Sequence, residues 1–147
     1  DKDYFIYAED MDLGLRLRLL GYEVVFAPDA VLYHMHAITT KKSSSYKMTF
    51  LMERNLLITY LKILSLKHIL LFLPYVLSMR LIAIVKDILL FKFRNAFSRI
   101  KAILWVIFNF NLINKKRKKL QKMRKADDSF VLKVFSEKNL FKKKAIV

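Results

Sequence analysis

The 147 residues suit one domain or a piece of one, and a 55% hydrophobic, 27% charged composition excludes a chain disordered throughout. With 2 Gly, 2 Pro and no Cys, collagen-like repeats, Gly-rich linkers, turn-dense β-sandwiches, disulfide scaffolds and cysteine nucleophiles are excluded. The net charge of +16 is unevenly spread: residues 1–36 carry seven acids and three bases, and the remaining residues carry 25 bases and five acids.

In chain order, residues 4–8 (Tyr-Phe-Ile-Tyr-Ala) form an aromatic run that reads as a short buried strand. Glu9-Asp10-Met11-Asp12 follows. Leu13, Leu15, Leu17 and Leu19 alternate like a strand, yet Leu13, Leu17 and Leu20 also share a helical face. The ends decide it. Carboxylates gather where a helix N-terminus favours them, and Gly21 stands where a left-handed residue ends a helix, so a helix is expected over about 10–20. Residues 22–27 and 30–34 read as two further short strands, and the polar stretch 39–45 as a loop.

From Tyr46 the pattern turns helical. The uncharged stretch at residues 69–79 is shorter than the ~20 residues a spanning helix needs, and Pro74 is expected to kink it. Arg80, Asp87, Arg94 and Lys101 recur every seven residues. Ile82, Leu89, Phe93, Phe97, Ile100 and Leu104 lie opposite them. This spacing predicts one amphipathic helix lying in a membrane interface rather than crossing it. Residues 115–125 hold eight bases and no acid. Beside greasy helices such a run suits anionic headgroups; as a bare charge run it is a solvated tail. Nucleic acid is not an expected partner, because aromatic stacking residues are not interleaved with the lysines.

Three groups carry candidate chemistry. Glu9, Asp10 and Asp12 either complement a helix dipole or supply a general base. His34 and His36 lie on one face of an extended chain, as packed histidines or as ligands to a metal or phosphate. Arg54, beside Asn55 in an apolar helix, either snorkels or grips a diphosphate.

Residues 5–16, with their Glu-Asp-x-Asp-Leu and Arg16, followed by Gly21-Tyr22, a strand-like stretch, Pro28-Asp29-Ala30, His34 and then Arg54-Asn55, resemble the end of the catalytic domain of family 2 glycosyltransferases. The resemblance is to the rhamnosyltransferase-like branch and covers about residues 1–55. It implies an α/β fold, with residues 1–45 as the acceptor-side end of a GT-A domain; composition and periodicity, not the resemblance, make 46–114 membrane-associated helices and 115–147 a basic tail. The resemblance implies inverting transfer of a sugar from a nucleotide-sugar donor to a glycan or lipid-linked acceptor, at the cytoplasmic face of the membrane. Asp10 would be the base, Glu9, Asp12 and Arg54 would bind substrate, and His34 would lie near a divalent metal (Mg or Mn) or the donor diphosphate. The family's donor half, with its Asp-x-Asp motif, would precede residue 1, so this piece is expected to be inactive alone. The rival expectation is a non-catalytic, basic, amphipathic membrane-binding module.

Overall fold

The computed structural model describes residues 1–25, 27–31, 33 and 45–136. Among the described residues six helices follow one another: α1 (Glu9–Leu19), α2 (Ser45–Ile63), α3 (Leu66–Leu89), α4 (Phe93–Phe108), α5 (Phe110–Lys122) and α6 (Asp128–Ser136). Among the described residues there is no strand, which overturns the α/β GT-A expectation. Residues 4–8 bend instead of extending, and their carbonyls bond to a side chain of α2 rather than to a neighbouring strand. Residues 22–25 and 27, and 30, 31 and 33, form no ladder; Phe26, Leu32 and His34 lie outside the described residues.

Helix α1 follows its sequence signals closely. Three acids occupy its first turn, and Gly21, at φ 87°, ends it. Gly21 N–H bonds Arg18 O at 2.9 Å and Tyr22 N–H bonds Leu17 O at 3.0 Å, the two bonds of a Schellman ending.

Helix α2 is the spine. One apolar cluster gathers Tyr4, Leu57, Ile58, Val106 and Ile113; a second gathers Leu19, Ile63, Leu64, Ile69 and Val131. The single amphipathic helix expected beyond residue 80 is in fact two helices, α3 and α4, broken at residues 90–92 and packed on each other. Helix α3 runs through Pro74 as one element of 24 residues, about 36 Å at 1.5 Å per residue. It is long and apolar enough to cross a membrane, and 6% of its apolar window is buried. Half of the charged stripe faces inward: Arg80 meets Glu53 at 3.5 Å, and Arg99 bridges Glu53 and Asp87, the latter at 2.8 Å, whereas Arg94 and Lys101 are exposed. The greasy side, including Leu81, Ile82, Phe97, Leu104 and Ile107, faces outward.

At Asn109 the chain bends by 67° into α5, so the basic run is helical and packs on α2. Helix C-termini leave their last carbonyls without intrahelical donors. Here α5 and the turn after it supply them. Arg117 bonds Leu61 O at 2.6 Å as well as Leu64 O, Gln121 bonds Lys62 O and Ile63 O at 3.0 and 2.9 Å, and Arg124 bonds Ile63 O at 2.6 Å. Lys115, Lys118, Lys119, Lys122 and Lys125 remain exposed.

Asp128 joins α6 to the α2–α3 junction. Its buried carboxylate accepts Ser65 N–H at 2.9 Å and pairs with Arg124 at 2.8 Å and His68 at 2.6 Å. Burial pushes its pKa up, but the hydrogen bonds from Ser65 and Arg124 outweigh that and hold it below the ordinary value. Its stabilisation is therefore complete above the unfolded carboxylate value of about 3.9 and fades as pH falls through the lower folded value. Asp128→Ala should cost roughly 1–3 kcal/mol at neutral pH. The melting-temperature gap to the parent should narrow below about pH 4; a gap that stays constant into strong acid would contradict this.

Candidate functional site

The candidate site is the turn into α1. Tyr7 and Ala8 both have positive φ, 71° and 62°, and Ala8 supplies no side-chain cap. Each such residue costs about 1–3 kcal/mol, so the surroundings must hold it. They do so through Asn55, which is fully buried in α2. Its Nδ2 donates to Ile6 O at 3.0 Å and Tyr7 O at 2.8 Å, and its Oδ1 accepts from Arg54 Nε at 3.0 Å. Residues 1–8 thus form a strap across α2 rather than a strand.

Further polar contacts tie the strap down. Tyr4 Oη shares a hydrogen bond with Thr59 Oγ1 at 2.7 Å and donates to Asn55 O at 3.0 Å; burial raises the phenol's pKa. Arg54 donates to Asp3 O at 2.8 Å and lies over the Phe50 and Trp105 rings. Burial pulls its guanidinium below the usual value, with Asp3 opposing. Lys62, almost fully buried, pairs with Asp1 at 2.6 Å and Asp12 at 2.9 Å. Burial pulls the Lys62 ammonium below its usual range, and Asp12 pulls it back. Arg16 reaches Asp12 at 2.8 Å, and Lys116 on α5 pairs with Asp1 and Asp3. The hydrogen bond from Lys116 keeps the Asp3 carboxyl low.

These pairs separate the acids of the first twelve residues. Asp1 and Asp12 are enclosed in ion pairs and Asp3 is held by Lys116. Glu9 and Asp10 are exposed. Asp10 accepts its neighbour's N–H, from Met11 at 2.7 Å, and Glu9 has no partner among the described residues. Of the site residues expected from sequence, Glu9 and Asp10 stand together at the α1 start, Asp12 lies beneath them in the Lys62 network, and Arg54 ties down the strap. His34 and His36 lie outside the described residues. Among the described residues no three His, Asp or Glu side chains converge as a metal set would.

Asn55, Lys62 and Lys116 were not anticipated as site residues. One signal was available for Lys62: it is the only charge in its stretch of an otherwise apolar helix, and so needs a buried partner. No family model, curated protein or solved structure matches this chain.

Proposed function

We propose that this chain is a membrane-bound part of a glycosyltransferase, moving a sugar from a nucleotide-sugar to a lipid-linked glycan, with Asp10 as the general base. One observation carries the reading. Of the acids in the first twelve residues, Glu9 and Asp10 are the exposed ones outside the ion-pair network, on a turn fixed to α2 by Asn55. A base needs this combination of rigidity and access. The outward apolar sides of α3 and α4 and the exposed lysines of α5 support placement on an anionic membrane. Cytoplasmic placement follows from the excess of positive charge beside apolar helices. The divalent metal belongs to the same proposal and calls for ligands beyond the described residues.

A second reading, a non-catalytic membrane-binding module, is favoured by the absence of strands among the described residues, which departs from the fold the resemblance implied. One assay separates the two. Native membranes holding the protein at its natural length are given radiolabelled nucleotide-sugars. Label is expected in the lipid-extractable fraction, above membranes lacking the protein. Membrane-bound protein with no such transfer leaves the module.

A further inference from the structure

Two Schellman endings among the described residues are built from different residues. At α1 the left-handed position is Gly21. At α3 it is Phe91, at φ 55°, with Phe91 N–H on Ile88 O at 2.9 Å and Lys92 N–H on Asp87 O at 2.7 Å. Glycine takes this conformation freely and a side chain resists it. The phenylalanine is not there to fill the core, since it is 81% exposed and stacks edge-on against Phe93, ring centres 6.1 Å apart. Leu89, Leu90 and Phe93 are exposed around it. The turn is an apolar knob on strained backbone.

Its surroundings carry one sign of charge. Lys86, Lys92 and Arg94 are exposed within a few residues of Phe91. The single acid in residues 66–108 is Asp87, which is buried against Arg99. The knob continues along α3 into an open apolar strip lined by Leu81, Ile82, Val85 and Leu89, with Lys86 at its edge. Aromatic rings at the tip, with Lys92 and Arg94 between and beside them and Lys86 further back along α3, match the boundary between acyl chains and anionic headgroups. A second copy of the chain would bring a second set of cations against the first, which is repulsive.

We propose that the α3–α4 turn is the membrane-insertion wedge: Phe91 and its neighbours enter the acyl region of an anionic bilayer while Lys86, Lys92 and Arg94 hold headgroup phosphates. This rests on the membrane-bound reading above and adds which residues insert and what lipid they select.

The test compares the parent chain with Phe91→Gly. Glycine suits the turn, so the melting temperature should stay level or rise, while the ring is lost. Partition into vesicles of phosphatidylcholine mixed with phosphatidylglycerol should fall about 10-fold or more. Replacing Lys86, Lys92 and Arg94 together by Gln should weaken the preference over pure phosphatidylcholine, the remainder being carried by the exposed lysines of α5. Because the chain has no cysteine, Phe91→Cys carries a single environment-sensitive dye, which should shift to the blue with vesicles and be quenched by brominated acyl chains. Equal partition of parent and Phe91→Gly, or a dye that stays in water, overturns the wedge and leaves the membrane reading standing. A parent that ignores vesicles overturns both. Lipid-free self-association abolished by Phe91→Gly assigns the knob to a second copy and overturns the proposal.

Discussion

Replacing Lys62 by methionine is expected to destabilise the protein by about 3–5 kcal/mol, read as a lower denaturant midpoint. Methionine keeps much of the length and the apolar stem but removes the ammonium. Asp12 is fully buried and would keep Arg16, whose own side chain is partly exposed, as its side-chain partner. Asp1, also nearly buried, would rely on Lys116. A buried carboxylate short of its counter-charge is expensive, whereas removing both charges together is much less so. The double variant Lys62→Met, Asp12→Leu should therefore recover much of the loss, and the cycle should give a coupling energy of at least 1 kcal/mol. A single variant that costs under about 1 kcal/mol would mean that the network is as well solvated as a surface pair. The same change should loosen the strap, since Lys62 lies over the Tyr4 ring at 4.8 Å and Tyr4 anchors the strap to Thr59.

The acid-rich start and base-rich remainder were legible as a charge split, and the structure turns that split into contact: Asp1, Asp3 and Asp12 meet Lys62 and Lys116. Helix α1 was legible because both of its ends carry residue-specific signals, acids at one and Gly21 at the other. The strands were misread for a physical reason. A run such as Tyr-Phe-Ile-Tyr-Ala says only that a segment is apolar, and a strap pinned by one asparagine fits it as well as a strand paired with a neighbour. Nothing in the sequence announces that Asn55 takes those carbonyls.

The inverted orientation of α3 and α4 was harder still to see. A seven-residue spacing shows that Arg80 and Asp87 share a side, but not whether that side meets water or protein. The decisive partners, Glu53 and Arg99, lie on other helices. The break at residues 90–92 was invisible because its left-handed position holds Phe91 and no glycine or proline marks it. The same residues explain why the single helix expected here is instead a pair that encloses Arg80, Asp87 and Arg99 with Glu53. Enclosing Glu53, Arg80, Asp87 and Arg99 makes a neutral set of two acids and two bases. An outward apolar surface can then face lipid without carrying those charges into it.

Asp10→Asn, made in the protein at its natural length, is expected to lower sugar transfer by about 10²–10⁴-fold, the range typical of a lost general base. Asparagine keeps the shape and the acceptor oxygen that receives Met11 N–H, so the α1 turn should persist and the melting temperature should change little. The loss should fall on the rate at saturating substrate, since the base acts in the transition state. Glu9→Gln is the companion variant. Glu9 has no partner among the described residues, so it too should leave stability unchanged, but as an acceptor-binding group it should act mainly on KM. Asn55→Leu completes the set. Both carboxylates remain while the clamp on Ile6 O and Tyr7 O is lost, so the turn relaxes from its left-handed geometry and both stability and turnover fall. A loss below about 10-fold for Asp10→Asn would remove it as the base, because a positioned base contributes more than that. Three variants thus separate chemistry, binding and support within one strap and one turn. The separation works because the fold has already committed Asp1, Asp3 and Asp12 to the ion-pair network and left Glu9 and Asp10 outside it.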